Sequence, residues 1–349
     1  MALVDAVRDR TAGTDEPDGR MLLAIYERMV LARTLSARAF ALHRAGLIDN
    51  AVPADGHEGT QVGSALAMPR ERAIVYPYYR SMAAALAFGM TPYELLLAYF
   101  AKEQDPASGG RQMPAHYAKR EIGIVTTSSV VATQIPHAVG AAYAAKVRRT
   151  RQIAITYFGE GASSQGDFHE ALNFAAIHRL PAIFVCENNG FAISVPQRLQ
   201  MAVASVADRA PGYGMAGISV DGADARAVYR ATCAAVRRAE AGAGPTLIEA
   251  RVARLAPHTT DDDDRGYRDA ATIARDKAER DPLPRLEGSL RETGLLDEAR
   301  IAAIAARCRA EVNAADEAAQ AAADPEAASL WRHVYAETVP PSPQDGEGQ

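Results

Sequence analysis

The order of apolar and polar positions predicts alternating strands and helices in the middle of the chain. Arg151 to Phe158 is an apolar, β-branched stretch that ends at a glycine turn, and Pro181 to Cys186 is a second such stretch that ends at Asn-Asn-Gly. Between them, apolar side chains recur at helical spacing from Asp167 to His178, with Ser163 and Ser164 as candidate caps. The pattern predicts a β-turn-α-turn-β unit with two buried parallel strands.

The same alternation continues on both sides of this unit. Apolar strands alternate with alanine-rich helices from about His57 to Ala253, Met21 to Ala45 predicts an N-terminal helix, and Ala270 to Ala323 predicts a helical region. One side of its last, alanine-rich helix carries an apolar stripe that we expect to pack within the chain: Ile301, Ile304, Cys308 and Val312. The expected fold class is α/β, a mostly parallel sheet with helices on both faces and helical extensions at both ends.

A single domain is predicted over residues 20–338, because no linker-like change in composition divides this range. Its length is sufficient to bury a large core. Residues 1–19 are polar with glycine and proline and are predicted to be flexible, and residues 339–349 are predicted to be a disordered tail.

Composition and charge exclude several classes of partner. The net charge is −5 and no basic cluster pairs with aromatic residues, which excludes nucleic acid. No apolar run is long enough to span a membrane, and the first twenty residues lack the apolar core of a signal peptide. Cys186, Cys233 and Cys308 are widely spaced and suit buried thiols in a reducing compartment. We therefore expect a cytoplasmic protein with no membrane partner.

Two polar residues follow the two central strands and form a candidate metal site. Glu160 and Asn189 are predicted to face one crevice, since ligands bind beyond the carboxyl ends of parallel strands. With the Phe191 carbonyl they would offer three hard oxygens to Mg²⁺ or Ca²⁺ and leave positions open for phosphate and water. Gly159 and Gly161 would let the backbone approach a bulky anion, and the N-terminus of the next helix would face it. The predicted site holds a hard cation and a diphosphate.

Tyr79 and Arg80 extend this argument, because a diphosphate with one Mg²⁺ stays negative and a guanidinium fork suits its oxygens. The alternative is a surface arginine beside a core tyrosine. Two other enzyme classes are excluded by spacing. The run Gly159 to Ser164 lacks the third glycine of a dinucleotide-binding fingerprint, and Gly161 to Gln165 lacks the closing glycine of a hydrolase nucleophile elbow.

Several motifs in one order resemble the alpha subunit of the thiamine-diphosphate-dependent first component of 2-oxo acid dehydrogenase complexes. The segment from Gly159 to Pro196 resembles the thiamine-diphosphate fingerprint, in which a G-D-G-like turn precedes a pair of asparagines; Glu160 replaces the usual aspartate and keeps its charge. The other matching motifs are YPYYR (76–80), GRQMPAHY (110–117), SSVVATQIPHAVGAAYAAK (128–146), VDGADARAVY (220–229) and PHTTDDDDRGYR (257–268). The resemblance extends from about Leu22 to Tyr335 and is closest to branched-chain (2-oxoisovalerate) members. It implies the thiamine-diphosphate-binding fold.

The resemblance also implies roles for individual positions. His258 would be the catalytic residue, lying over the cofactor, where an imidazole can move protons. The implied cofactor-binding residues are Tyr79, Arg80, Ser129, Val131, Gly159, Glu160, Gly161, Ala162, Asn189, Phe191, Arg254 and His258. The implied Mg²⁺ ligands are Glu160, Asn189 and Phe191, and the implied K⁺ site of branched-chain members is Ser128, Thr133 and Gln134. His57 and Glu58 lie near the crevice in relatives and receive no chemical role, and the acidic run after His258 is predicted to be solvated.

The implied reaction is oxidative decarboxylation of a 2-oxo acid, with acyl transfer to a lipoyl group on an acyltransferase component. The glutamate that activates the cofactor belongs to the beta subunit in this family, so half a site is expected here, within an α2β2 assembly. GRQMPAHY and SSVVATQIP favour a branched-chain substrate; pyruvate or acetoin, or a non-catalytic binding protein with the same fold, are the alternatives. Glu187 departs from the basic or neutral residue of some relatives, which argues against a phosphate contact there. Thr259 replaces a regulatory serine of mitochondrial members, so control by a dedicated kinase is not implied.

Overall fold

The computed structural model describes residues 15–332 and 334, and its centre is a parallel five-stranded sheet. The strands of the described region are β1 (Ala73–Tyr76), β2 (Ile153–Gly159), β3 (Ala182–Asn188), β4 (Phe191–Ala192), β5 (Val195–Pro196), β6 (Ala216–Asp221) and β7 (Thr246–Arg251). The main sheet has the order β1-β2-β3-β7-β6 with every neighbouring pair parallel, while β4 and β5 form a separate antiparallel hairpin. The predicted α/β class with a mostly parallel sheet is confirmed.

The α-helices of the same region are α1 (Gly19–Arg44), α2 (Glu58–Ala67), α3 (Met82–Phe88), α4 (Pro92–Tyr99), α5 (Gln134–Val147), α6 (Gly166–Ile177), α7 (Ala225–Glu240), α8 (Ala270–Glu279), α9 (Pro282–Glu292) and α10 (Glu298–Ala321). The predicted N-terminal helix is confirmed as α1, which begins after Asp18 because that carboxylate accepts a hydrogen bond from the Met21 N–H (2.7 Å). Gly19 therefore belongs to a helix; residues 1–14 and 339–349 of the predicted flexible ends lie outside the described residues.

The C-terminal helical region is confirmed but consists of three helices. Pro282 occupies the first turn of α9, where its missing N–H costs nothing, and Asp281 and Asp297 cap α9 and α10. On α10, Ile304, Cys308 and Val312 are buried in the core and Ile301 packs partly buried against it. The apolar stripe is an intramolecular packing face, as predicted.

Alternate residues of β2 and β3 enter two different core layers, which is why both strands are apolar throughout. Ile155 and Val185 belong to the layer beneath α1, α2 and α7, whereas Phe158 and Phe184 belong to the layer beneath α5 and α6. The helices thus cover both faces of the sheet. Among the described residues, no helix combines the length and apolarity needed to cross a membrane.

The β2-turn-α6-β3 unit is present, but its predicted caps are wrong. A 3₁₀ turn, Glu160–Ser164, separates β2 from α6, and Gln165 takes the N-cap position without a side-chain bond. Ser163 lies two residues before this N-cap, inside the turn, where its hydroxyl donates to the Glu160 carbonyl (2.7 Å). Ser164 instead accepts from the Gln200 amide (3.1 Å).

Three strand ends meet at one edge of the sheet and create the site. Gly159 is in register with Glu187, and Asn188 is in register with Arg251. The Val252 N–H also donates to the Asn188 carbonyl (2.8 Å). The segments that follow β2, β3 and β7 therefore leave the sheet side by side, as expected for ligand binding at the carboxyl ends of parallel strands.

Candidate active site

Glu160 and Asn189 lie together at this edge, as predicted. The Asn189 backbone N–H donates to Glu160 Oε2 (3.2 Å), while Glu160 Oε1 is buried and has no partner within the described structure. Burial raises the pKa of Glu160, and backbone hydrogen bonds and the charges of Arg254 and Arg80 oppose this shift. A buried carboxylate oxygen without a donor is costly, and a bound cation would relieve that cost.

The other two predicted ligands are compatible with the same cation. Asn189 Oδ1 accepts from the Phe191 N–H (3.1 Å) and keeps a second lone pair. Phe191 is in register with Pro196, which has no N–H to donate to the Phe191 carbonyl. No described group of three or more His, Cys, Asp or Glu residues could hold a metal. A set of one carboxylate, one amide and one carbonyl fits Mg²⁺ that shares its shell with phosphate oxygens.

The two glycines of the predicted site differ in their surroundings. A Cβ at Gly159 would meet nothing within 4 Å, so this backbone is open to a ligand. At Gly161, however, a Cβ would lie 2.9 Å from the Ala192 Cβ. Gly161 is therefore required by packing against the β4–β5 hairpin. The neighbouring Ala162 is buried in the 3₁₀ turn, and the turn displaces the N-terminus of α6 from the position expected for it.

Arg80, Arg254 and His258 form a cluster beside the carboxylate. Arg80 is 2% exposed; its guanidinium donates to the Pro53 carbonyl (2.8 Å) and lies 3.0 Å from His258 Nδ1. Arg254 reaches the same nitrogen at 3.4 Å, and the Tyr79 and His258 ring centroids are 5.7 Å apart. The structure thus brings together these four predicted residues, and the two arginines concentrate positive charge next to Glu160.

The surroundings of His258 determine its protonation. Both guanidinium groups can only donate, so Nδ1 accepts and the ring proton resides on Nε2. Burial, together with the charges of Arg80 and Arg254, lowers the pKa of His258 to about 3. His258 is consequently a neutral imidazole that can donate a hydrogen bond from Nε2.

The acidic run is only partly solvated, in contrast to the prediction. Asp261 and Asp263 are exposed, but Asp262 accepts from the His258 N–H (2.8 Å) and from the Tyr267 hydroxyl. Asp264 is buried and pairs with Arg268 (2.8 Å). These alternate aspartates order the loop that carries His258.

The remaining predicted residues lie along the segment before α5. Ser129 is exposed and its hydroxyl is 2.7 Å from His116 Nε2, while the Val131 side chain is 46% exposed. In the predicted K⁺ set, the Ser128 hydroxyl accepts from the Val130 N–H (3.1 Å) and the Gln134 amide donates to the Tyr157 carbonyl (2.9 Å). Thr133 occupies the N-cap position of α5 without a side-chain cap bond. The roles of these residues stay predictions.

A buried polar cluster adjoining the site was not predicted. Glu187 Oε2 lies 2.6 Å from His57 Nδ1 and accepts from the Gln61 amide and the Tyr78 hydroxyl, both at 2.9 Å. All four residues are at most 5% exposed. The sequence did hold one signal for this cluster. Polar side chains of α2, such as Gln61, occupy helix positions that the apolar residues of the same helix place in the core.

One family model and several curated relatives match most of this chain. Residues 26–328 match the family described as "Dehydrogenase E1 component". The chain is 47% identical over 312 residues to "2-oxoisovalerate dehydrogenase subunit alpha" of Bacillus subtilis (strain 168), covering 89% of this chain and 94% of the relative. It is 42% identical to the mitochondrial subunit of that name from Mus musculus (90% and 71%), and 37% identical to "3-methyl-2-oxobutanoate dehydrogenase subunit alpha" of Mycobacterium tuberculosis (strain CDC 1551 / Oshkosh; 90% and 83%). The chain belongs to the dehydrogenase E1 component family.

Proposed function

We propose that this chain is the alpha subunit of a branched-chain 2-oxo acid dehydrogenase and binds the diphosphate of thiamine diphosphate through Mg²⁺. Family membership implies the cofactor, and the names of the relatives support a 3-methyl-2-oxobutanoate (2-oxoisovalerate) substrate. The observation that carries the site assignment is the unpartnered Glu160 Oε1, buried beside Asn189 and two arginines. When bound, the cofactor supplies the nucleophilic carbon and the electron sink for decarboxylation.

The residues of this chain bind the cofactor and orient it. Glu160, Asn189 and the Phe191 carbonyl hold Mg²⁺, while Arg80 and Arg254 compensate the remaining negative charge of the diphosphate. Ser129 and the exposed Val131 side chain contact the cofactor's organic part. Ser128, Thr133 and Gln134 hold K⁺ in this proposal, as the resemblance to branched-chain members implies.

His258 acts as a hydrogen-bond donor through its Nε2 nitrogen. Because Nδ1 is engaged by two guanidinium groups, the Nε2–H donates to oxygen atoms of the bound cofactor or substrate. In this arrangement His258 cannot act as a base until those contacts change. This limits the proton-moving role that the sequence implied.

Catalysis requires a second chain in this proposal. The glutamate that activates the cofactor belongs to the beta subunit in this family, and a lipoyl-bearing acyltransferase component accepts the acyl group. An α2β2 assembly would complete the site. The three cysteines are buried thiols, which supports a reducing, cytosolic location.

Co-expression with a candidate beta chain tests the proposal. Dye reduction by the assembled pair should require both thiamine diphosphate and Mg²⁺, and turnover of 2-oxoisovalerate should exceed that of pyruvate and of acetoin. A non-catalytic binding protein predicts no cofactor-dependent activity with any partner. Faster turnover of pyruvate or acetoin would assign the same chemistry to a different substrate.

The metal assignment is tested by binding. Glu160→Ala and Asn189→Ala should each weaken Mg²⁺-dependent cofactor binding by at least about tenfold, since each removes a ligand. Asp316→Asn is the matched control, because Asp316 is a carboxylate only 2% exposed that pairs with Arg38, outside the site. Unchanged cofactor affinity in both site variants would refute the assignment.

A further inference from the structure

We infer that Glu187 is a positioning residue that holds Arg80 in the geometry needed for the cofactor's diphosphate. The inference rests on the proposed function and concerns a residue at which a phosphate contact was not expected. Glu187 is the second residue before Asn189 on β3 and is 0% exposed. It can therefore act only through the groups that it contacts.

Glu187 Oε2 collects three donors from two separate segments. His57 at the start of α2 contributes Nδ1–H, Gln61 of α2 contributes its amide, and Tyr78 of the β1–α3 loop contributes its hydroxyl. One carboxylate oxygen thus joins the ends of β3 and β1 with α2. Because all of these atoms are buried, water does not compete for the three bonds.

Gln61 extends the connection to Arg80. Its amide nitrogen also donates to the Arg80 carbonyl (3.0 Å), and its amide oxygen accepts from the Ala83 N–H (3.0 Å) and the Ala84 N–H (3.3 Å). The backbone on the C-terminal side of Arg80, from its carbonyl to the Ala84 N–H, is therefore held by a side chain that Glu187 contacts. A displaced Arg80 would lose its contacts with His258 and with a bound diphosphate.

The metal loop follows Glu187 directly along the chain and is held by its own hydrogen bonds. Asn188 donates to Glu249 Oε1 (2.7 Å) and accepts from the Gly190 N–H (3.0 Å), and Asn189 donates to Glu160. Glu187 begins this run of anchored residues at the end of β3. Supporting hydrogen bonds of this kind keep a binding constellation within fractions of an ångström of its productive geometry.

The test uses the full chain assembled with its beta subunit. The affinity for thiamine diphosphate at saturating Mg²⁺ is measured by calorimetry for Glu187→Ala, Glu187→Gln and the control Asp316→Asn, with thermal unfolding of each. Alanine removes the shared acceptor, so its Kd should rise about tenfold or more, and excess cofactor should restore turnover. Glutamine keeps an oxygen for the three donors and should remain within about threefold of wild type.

Coupling to Arg80 separates positioning from general destabilisation. In an Arg80→Ala background, Glu187→Ala should weaken cofactor binding much less than in the wild type, because its effect passes through Arg80. If Glu187→Ala does not assemble, Gln61→Ala replaces it in the same cycle, since the Gln61 amide contacts both Glu187 and the Arg80 carbonyl.

The outcomes are distinguishable. If Glu187→Ala binds the cofactor as tightly as Asp316→Asn does, the positioning role is overturned. The same holds if the effect of Glu187→Ala on affinity simply adds to that of Arg80→Ala. If Glu160→Ala and Arg80→Ala themselves left cofactor affinity unchanged, the proposed function would fail instead. Weak binding in the alanine variant, rescue by glutamine and strong coupling to Arg80 together support the inference.

Discussion

Two guanidinium groups meet at one imidazole nitrogen, and this contact determines how His258 responds to pH. The folded pKa is about 3, against an ordinary value of 6.5. Between these values the unfolded chain binds a proton that the folded chain does not. The contribution of His258 therefore reduces stability as pH falls below about 6.5, by at most about 1.4 kcal/mol per pH unit.

His258→Gln should remove this dependence. Between pH 7 and pH 5, the unfolding midpoint of the wild type should fall further than that of the variant, as measured by thermal denaturation of both proteins in matched buffers. His57 also has a lowered pKa through burial, but it is present in both proteins and its contribution cancels in the difference. Parallel pH curves for the two proteins would contradict the lowered pKa of His258.

Individual site residues differed in how predictable they were. Glu160 and Asn189 could be predicted because each directly follows an apolar strand, a local signal. The pairing of His57 with Glu187 joins residues 130 positions apart, and no local pattern encodes it. The arginine contacts of His258 were hidden for the same reason, and with them its neutral state.

At the scale of elements, α2 and α7 pack so closely that a glycine is required between them. A Cβ at Gly63 of α2 would lie 2.7 Å from the Ala225 carbonyl oxygen at the start of α7. Since that oxygen belongs to the backbone, the contact can be relieved only by moving one helix. α2 also carries Gln61, so its displacement would disturb the site.

Gly63→Ala should lower the free energy of unfolding by about 1–3 kcal/mol, the usual cost of overpacking. Gly288→Ala is the control: it lies in α9, and a Cβ there would meet nothing within 4 Å. This change should stabilise by about 0.5–1 kcal/mol, because it restricts the unfolded chain. Urea denaturation measures the free energy of unfolding of both variants. Equal changes in Gly63→Ala and Gly288→Ala would show that the contact between α2 and α7 is looser than described.

Elements with a periodic pattern were predictable, and those without one were not. Apolar runs identified β2 and β3, and helical spacing identified α6 to within a residue at each end. The β4–β5 hairpin has two residues per strand, too few for any alternation. The 3₁₀ turn at Glu160 was also missed, and this error misassigned the caps of α6.

At the scale of the whole molecule, Arg33 connects three parts of the chain through buried charge. From α1 it contacts Glu58 of α2, and it donates both terminal nitrogens to Asp281 before α9 (3.0 and 3.1 Å). Glu58 is fully buried, and this burial raises its pKa to about 7 although Arg33 opposes the shift. The N-terminal and C-terminal helices are thereby joined to the helix that supports the site.

Arg33→Met should destabilise the protein by about 3–5 kcal/mol at pH 8, because it leaves a buried carboxylate without its cation. The folded pKa of Glu58 exceeds its ordinary 4.5, so the folded state takes up a proton as pH falls from about 7 and the loss should be smaller at pH 5.5. Denaturant titrations at the two pH values measure this. The control is Arg230→Met, which removes an exposed ion pair with Glu16 and should lower stability by less than about 1 kcal/mol. A loss of stability as large as that of Arg33→Met would argue against a special role of burial.

The all-parallel sheet has a consequence for how the protein is made. Ala73 of β1 pairs with Ile153 of β2, and Ile183 of β3 pairs with Thr246 of β7, so each ladder closes a long stretch of chain. Such non-local pairing slows folding, since loop-closure entropy is lost before contacts form. The proposed cofactor-binding residues come from five segments of the chain, which must be brought together during folding. Affinity for thiamine diphosphate, measured with the beta subunit present, should therefore emerge only in the slowest refolding phase of this chain, and chains truncated before β7 should lack it.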